Sequence, residues 1–338
     1  MGGREIAVSA RVPMLKDQRR YWPDLLKTHK NNAHSHMELR NYILSNALII
    51  RKAMRSLCVV LLFATFSCST SSQETQFDGQ SALLFVEEQI AFGPRIPGSE
   101  ESRKTAVWVV EQLEAIGWET EIQHFNYRGT PLMNIIAKAE GISESRPILI
   151  GAHYDTRPHA DRDPIYPEAP VPGANDGASG VAVLIELAQV LERDRFRQPV
   201  WLVFFDAEDS GNIDGWDWNV GSSFFADNLI QDLEAAVIVD MVGDRDLQLF
   251  IEKNSDPDLV QEIWELAEQL GYPAFINTPK YAMIDDHTPF LRIGVPAIVI
   301  IDFDYPYHHT ISDTIDKVSA DSLEQVGRTL EHWLENQR

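Results

Sequence analysis

Residues 200–209 read VWLVFFDAED, an unbroken apolar run that ends in acidic residues. An apolar run of this length without polar alternation is typical of a strand buried on both faces of a sheet. Similar runs occupy 148–150, 236–239 and 297–301. Helical patterns lie between the runs, at 178–193, about 220–230, 256–270 and 319–336. This alternation predicts an α/β fold, a three-layer α/β/α sandwich around a mostly parallel mixed sheet.

Between residue 80 and the run at 148–150, we first expect two amphipathic helices. Ser99 is the expected N-terminal cap of the second helix. Strands are expected at 119–126 and 132–139. With no internal repeat in the sequence, we expect residues 80–338 to form one domain.

The N-terminal region has a different character. Residues 54–68 read MRSLCVVLLFATFSC, a positive residue followed by a short apolar run and a cysteine. This pattern is typical of a bacterial lipoprotein signal peptide, in which Cys68 carries the lipid. A plain secretory signal or a buried apolar segment is the alternative. We therefore expect an exported protein, periplasmic or anchored in the outer membrane through Cys68.

The position of this signal determines how we interpret the segments on either side of it. We expect Met54 to be the natural start and residues 1–53 to be an upstream extension, with a membrane anchor that keeps this extension as the alternative. Residues 69–79 are polar and predict a flexible tether.

Charge and cysteine content limit the possible partners. The net charge of −22 argues against nucleic acid or an anionic membrane surface as a partner. Both cysteines, Cys58 and Cys68, precede the predicted domain. Any metal in the domain is therefore held by His, Asp and Glu, ligands that suit a catalytic zinc with an open position.

Polar residues follow each buried run of the sheet. The carboxyl ends of parallel strands meet at one edge, where ligands gather. The residues delivered to that edge are His153, Asp155, Asp206, Glu208, Asp209, Asp240, His308 and His309. A segment of small residues, GANDGASG at 173–180, adds Asp176 at the start of a helix.

Each of these residues also has an ordinary structural explanation. Asp176 is a possible helix cap, Asp240 a possible strand-end cap, and the pair of histidines a possible surface loop. Taken together, however, these explanations leave several carboxylates close to one another at one edge of the sheet. Carboxylates in such positions repel one another unless a cation binds between them. The combination predicts a divalent metal site.

The motifs themselves resemble the M28 zinc metallopeptidase superfamily over residues 80–336. They occur in family order: GPRIPGS at 93–99, HYDT at 153–156, GANDGASG at 173–180, DAED at 206–209, DMVGD at 240–244, DDHTPF at 285–290 and HHTISDT at 308–314. Each motif is weak alone, whereas the ordered set is specific.

The resemblance implies one of two enzymes. In an M28 aminopeptidase, two zinc ions are expected. One ion is held by His153, Asp176 and Asp240, and the other by Asp176, Asp209 and His309. Glu208 is then the general base that activates a metal-bound water.

In a glutaminyl cyclase of the same superfamily, one zinc ion is expected, held by Asp176, Asp209 and His309. Glu208 carries the proton, and Asp285 hydrogen-bonds with Glu208 and Asp240. The substrate is a peptide or protein N-terminus with glutamine, which becomes pyroglutamate as ammonia leaves.

Three features favour the cyclase: the DDH sequence at 285–287 followed by Pro289-Phe290, the insertion at 158–172, and GSSFF at 221–225. One position departs from the cyclase pattern, because His308 stands where tryptophan is usual before the metal-binding histidine. Trp216 and Trp218 are candidates for another pocket aromatic. We expect a zinc-dependent glutaminyl-peptide cyclotransferase that acts as a monomer, with the aminopeptidase as alternative.

Overall fold

The computed structural model describes residues 76–143 and 145–337. The predicted extension 1–53, the signal 54–68 with Cys68, and the tether up to residue 75 lie outside the described residues. In the part that is described, no helix has the length and apolarity needed to cross a membrane. The end of the predicted tether belongs to the fold instead, because Phe77 is buried and Asp78 caps a helix that begins at Gly79.

The elements appear in the following order along the chain. The helices are α1 (Gly79–Ile90), α2 (Glu100–Ala115), α3 (Ala178–Val190), α4 (Val220–Asp227), α5 (Pro257–Leu270), α6 (Thr288–Arg292) and α7 (Ala320–Asn336). The strands are β1 (Glu119–Tyr127), β2 (Thr130–Ala139), β3 (Ile148–His153), β4 (Val200–Phe205), β5 (Ala235–Asp240), β6 (Leu249–Ile251), β7 (Phe275–Pro279) and β8 (Ala297–Ile301). Short 3₁₀ turns lie at Arg193–Arg195 and Ile315–Lys317.

The main sheet has six strands in the order β1-β2-β4-β3-β5-β8. Strands β4, β3, β5 and β8 pair in parallel, whereas β2 runs antiparallel to both β1 and β4. The predicted mostly parallel mixed sheet is thus confirmed. The parallel strands put their carboxyl ends, and the residues that follow, at one edge of the sheet.

Alternate residues of the strands enter two separate cores. One core lies between the sheet and helices α1, α2, α3, α5 and α7, and includes Ile150, Leu202 and Val237. The other lies on the opposite face with α4 and α6, and includes Phe205 and Phe290. Every residue of β3, β4, β5 and β8 is buried. This double burial explains why these strands are apolar without alternation, and it confirms the three layers.

Local capping sets the helix ends. The Ser99 side chain accepts a hydrogen bond from the Ser102 amide, as expected of a cap. Asp256 caps α5 in the same way, with Pro257 in its first turn. Gly271 ends α5 in the left-handed conformation that favours glycine. Helix α4 ends at Asp227, earlier than the predicted helix about 220–230.

Candidate metal centre and active-site pocket

The loops that follow the parallel strands turn sharply into the site. Ala207, Met241 and His309 have left-handed backbone conformations, with φ of 58°, 46° and 59°. Residues other than glycine adopt this conformation rarely, and such residues cluster at functional sites. The turns carry Glu208, just after Ala207, and the neighbouring site residues into buried positions.

Asp176 lies at the centre of the site, between His153 at the end of β3 and His309 in the loop after β8. His153 Nε2 is 3.2 Å from Asp176 Oδ1 and 3.2 Å from Asp240 Oδ1. On the other side, His309 Nε2 is 3.8 Å from Asp176 Oδ2 and 2.9 Å from Asp209 Oδ1. The structure therefore brings together all the ligands predicted from the sequence, with Asp176 shared by both groups.

Two groups of buried side chains have the spacing needed to hold an ion. One is His153, Asp176 and Asp240, and the other is Asp176, His308 and His309. In addition, Asp176 Oδ2 and Asp209 Oδ2 are buried without a hydrogen-bond partner among the described residues. A buried carboxylate oxygen without a donor is costly, and a cation removes the cost. The residues present therefore fit a bound divalent metal.

The electrostatics of these aspartates agree with this fit. Burial raises the pKa of Asp209 well above its usual range, and the charge of Asp176 acts in the same direction. For Asp176, burial also acts to raise the pKa, but the His153 hydrogen bond and nearby histidine charges hold it well below its usual range. Crowded carboxylates of this kind become compatible once a divalent cation lies between them.

Two further aspartates shape the metal-binding loops. Asp155 accepts hydrogen bonds from the backbone amides of Glu208 and Asp209, at 3.0 and 3.2 Å, and its Oδ1 is 3.3 Å from His153 Nδ1. Asp313 accepts from the amide of Asp176 at 3.1 Å. Both acids belong to motifs in the sequence, HYDT and HHTISDT, but a buried acceptor for backbone amides has no distinct sequence signal.

The GPRIPGS motif supports the loop that precedes Asp176. Arg95 is fully buried, and its guanidinium donates to the carbonyl oxygens of Tyr154, Pro172 and Gly173 at 2.6–3.0 Å. Burial lowers the pKa of Arg95 to about 10, against the raising effect of nearby acids. A buried cation with these bonds ties the loop to the end of β3 and so fixes Asp176.

The insertion 158–172 reaches the metal centre through Asp161. Arg157 donates two hydrogen bonds to Asp161, at 2.8 and 2.7 Å, and one to the Asp209 carbonyl at 3.0 Å. Asp161 Oδ1 also lies 3.5 Å from His309 Nδ1. Metal-binding histidines commonly turn their second nitrogen to a carboxylate. The structure thus gives Asp161 a place beside the predicted ligands that its sequence context did not indicate.

A pocket of about 250 Å³ opens next to the metal centre. Besides the predicted zinc ligands Asp176 and Asp209, three carboxyl groups line it: Glu208, Asp240 and Asp285. Burial raises the pKa of Glu208 well above its usual range, and like charges that include Asp285 add to this effect. Burial, and then the charge of Asp240, raise the pKa of Asp285 to about 7. A protonated carboxyl group is therefore available in the pocket near neutral pH.

Buried polar contacts stabilise the loop that carries Asp285. Glu252 accepts the Met283 amide at 3.0 Å, and its Oε2 lies 3.2 Å from His287 Nε2. The Ser222 hydroxyl donates to Asp286. Ser222 is part of the GSSFF segment, so that segment contacts the DDH segment directly.

Aromatic residues complete the pocket wall. Trp218 lines the pocket and stacks on His309, with ring centroids 6.2 Å apart and planes 11° apart. Trp216 instead packs on Tyr127 and is not among the lining residues. His308 and Phe303 line the wall where the resemblance predicts a tryptophan.

Comparison with known proteins agrees with this geometry. Residues 134–334 match the model of peptidase family M28. The chain belongs to this family. The M28 chain is similar to glutaminyl cyclase of Bacteroides thetaiotaomicron, solved with N-acetylhistamine, with 32% identity and a TM-score of 0.73 over 78% of this chain and 99% of that one.

Curated relatives of the M28 chain include both expected classes. Aminopeptidase YwaD of Bacillus subtilis is 28% identical over 57% of this chain and 41% of that protein. Glutaminyl-peptide cyclotransferase of Bos taurus is 24% identical over 69% of this chain and 75% of that protein. The chain is therefore an enzyme of the M28 superfamily, of the cyclase or aminopeptidase type.

Proposed function

We propose that this M28 enzyme is a zinc-dependent glutaminyl-peptide cyclotransferase. Its substrate is a peptide or protein with N-terminal glutamine, and its products are a pyroglutamyl peptide and ammonia. The observation that carries the proposal is the group of three carboxyl groups, Glu208, Asp240 and Asp285, lining one buried pocket beside the metal ligands.

These three carboxyl groups suit a reaction in which a proton moves within the substrate and no water molecule is consumed. Burial first, and then the charges of neighbouring acids, raise the pKa of Glu208 and Asp285, so these carboxyl groups are not all ionised together. A carboxyl group with a raised pKa is a better proton acceptor than an ordinary carboxylate and can later return the proton. Cyclisation requires both steps, and one carboxyl group can perform them in turn.

In the proposed reaction, the pocket holds the glutamine side chain with the α-amine beside Glu208. The amine nitrogen forms a bond to the γ-carboxamide carbon, and Glu208 accepts the proton that the amine loses. Glu208 then gives this proton to the γ-nitrogen as its bond to carbon breaks, and ammonia leaves. Asp240 and Asp285 keep the Glu208 carboxyl group in place. The binding geometry brings the reacting groups together and so lowers the barrier.

The proposed metal is one zinc ion held by Asp176, Asp209 and His309. When bound, zinc supplies a Lewis acid that polarises the γ-carboxamide carbonyl and stabilises negative charge on its oxygen. These ligands are an imidazole and two carboxylates, a donor set that zinc accepts with an open position.

A dizinc aminopeptidase is the second candidate, and one observation favours it. His153 Nε2 lies 3.2 Å from both Asp176 and Asp240, and its Nδ1 faces Asp155. This arrangement fits a second metal as well as it fits direct hydrogen bonds. Two tightly bound zinc ions per chain, with release of N-terminal residues, would establish this function.

An ammonia-release assay tests the proposal. The full-length enzyme, loaded with zinc, is given Gln-Ala-Ala-NH₂ or Leu-Ala-Ala-NH₂, and ammonia is followed over time. We expect ammonia from the glutamine peptide alone, and none with Glu208→Gln. Cleavage of the leucine peptide without ammonia release from the glutamine peptide contradicts the proposal.

We also propose that the enzyme is exported and anchored through a lipid on Cys68, acts as a monomer, and has no nucleic-acid partner. The MRSLCVVLLFATFSC sequence at 54–68 supports the export and the anchor, and the net charge of −22 supports the absence of a nucleic-acid partner. Expression of the chain from Met54 onward in a bacterial host should place it in the membrane fraction. A Cys68→Ser variant should be released from that fraction, and unchanged membrane association contradicts the anchor.

A further inference from the structure

The neighbouring histidines His308 and His309 have opposite partners on their second ring nitrogen. His309 Nδ1 lies 3.5 Å from Asp161 Oδ1. His308 Nδ1 lies 3.0 Å from an Nη of Arg162. Both Nε2 atoms are 3.8 Å from Asp176 Oδ2, so the distance to that aspartate does not distinguish the two rings.

The partners place the ring proton differently. A guanidinium only donates, so His308 Nδ1 accepts and the proton of the neutral ring lies on Nε2. A protonated nitrogen has no free electron pair for a metal. The Asp161 carboxylate, 3.5 Å from His309 Nδ1, instead favours a proton on that nitrogen, which leaves the electron pair of His309 on Nε2, facing Asp209 and Asp176. Of the two rings, His309 is therefore the one prepared to bind metal.

His308 is left with a donor on the pocket side. Within residues 76–143 and 145–337, no acceptor lies within hydrogen-bond distance of His308 Nε2. The ring is buried, lines the pocket, and packs edge-on against Phe303 with centroids 5.4 Å apart. Arg162 also lines the pocket and lies 5.9 Å from the Phe303 ring centroid. The donor is thus fixed in position and open to a ligand.

We propose that His308 is a substrate-binding residue that donates Nε2–H to the carbonyl oxygen of the first peptide bond of the substrate. Arg162 is a positioning residue that holds His308 in this tautomer. The identity of the substrate rests on the proposed function. Once the α-amine and the γ-carboxamide are engaged, this carbonyl is the remaining acceptor that every peptide substrate carries.

The tautomer is tested directly by ¹⁵N NMR on the full-length, zinc-loaded enzyme, without turnover. His308→Phe identifies the His308 signals. We expect His308 to carry its proton on Nε2 and to keep that form in Arg162→Lys, which retains a donor. In Arg162→Met, we expect a mixture of tautomers. A His308 ring protonated on Nδ1, or loss of zinc in His308→Phe, overturns the proposal.

The substrate contact is tested by kinetics with Gln-Ala-Ala-NH₂. Loss of one hydrogen bond predicts a rise in KM of about 2- to 10-fold in His308→Phe, with kcat changed less than about 2-fold. His308→Gln, which keeps a donor, should recover part of the loss. Arg146→Met removes a cation at the opposite edge of the sheet, where Arg146 pairs with Glu234, and should leave KM unchanged.

The two possible failures are separable. An unchanged KM in His308→Phe overturns the substrate contact while the cyclase activity stands. If the wild-type enzyme converts no glutamine peptide, the proposed function is wrong and so is the substrate named here. In that case the NMR and zinc measurements still decide whether Arg162 fixes the His308 tautomer.

Discussion

Replacing Asp161 by alanine should weaken zinc binding without unfolding the protein. Asp161 Oδ1 is 3.5 Å from His309 Nδ1, and its carboxylate also accepts two hydrogen bonds from Arg157. The change removes the group that orients the imidazole and leaves Arg157 free to move away from the Asp209 carbonyl.

The magnitude follows from the exposure of this carboxylate. Loss of a group that orients a metal ligand commonly costs 10- to 100-fold in metal affinity. The Asp161 side chain is 46% exposed, so water screens its charge. We therefore expect the lower end, a loss of about 10-fold or ~1.4 kcal/mol. Asp161→Asn should lose less, because its amide oxygen still accepts a hydrogen bond.

The assay is competition for zinc with a chromophoric chelator at fixed pH. Glu168→Ala is the matched control, because it removes one charge from the same insertion at a side chain that is 90% exposed. It should bind zinc like the wild-type enzyme. If Asp161→Ala keeps wild-type affinity, or Glu168→Ala loses as much, the reasoning about His309 is refuted.

Three other predictions concern catalysis, pH and the edge of the fold. Glu208→Gln should lower kcat by about 10²- to 10⁴-fold while zinc content, measured by mass spectrometry, stays the same. Burial raises the pKa of Asp302 to about 7, so the folded protein keeps this proton after the unfolded chain has lost it. Stability should therefore fall as pH rises from 4 to 7, and urea unfolding of Asp302→Asn should show a fall smaller by about 2–4 kcal/mol. Phe77→Ala should lower the free energy of unfolding by about 3–5 kcal/mol. Gly327→Ala should also destabilise, because its Cβ would lie 2.2 Å from the Phe77 ring; wild-type unfolding of both variants contradicts the placement of Phe77.

The strands that are buried on both faces were predictable from the sequence, because burial imposes an apolar pattern on them. The four apolar runs became the parallel strands, because a strand covered by helices on both faces has no exposed side to make polar. The small sheet of β6 and β7 was not predicted. Strand β6 has three residues and most of β7 is exposed, so neither segment carries a periodic apolar signal.

The predicted ligands were brought together because they follow strands that end at one edge. Sequence order alone does not show which side chains stand behind these ligands. Asp161 lies in an acidic insertion that resembles any solvated loop, and its role depends on contact with Arg157 and His309. Likewise, the proposed role of Arg162 depends on its contact with His308 Nδ1, which only the fold brings about. Such contacts between loops leave no local pattern in the chain.

One measurement tests the central claim most directly. The full-length, zinc-loaded enzyme is incubated with a peptide that begins Gln-Xaa-Xaa, and the mass of the product is recorded. The proposed function predicts a product lighter by one ammonia, with the peptide otherwise intact, and no such product with Glu208→Gln. Free glutamine and a shortened peptide contradict it and assign the enzyme to the dizinc aminopeptidases.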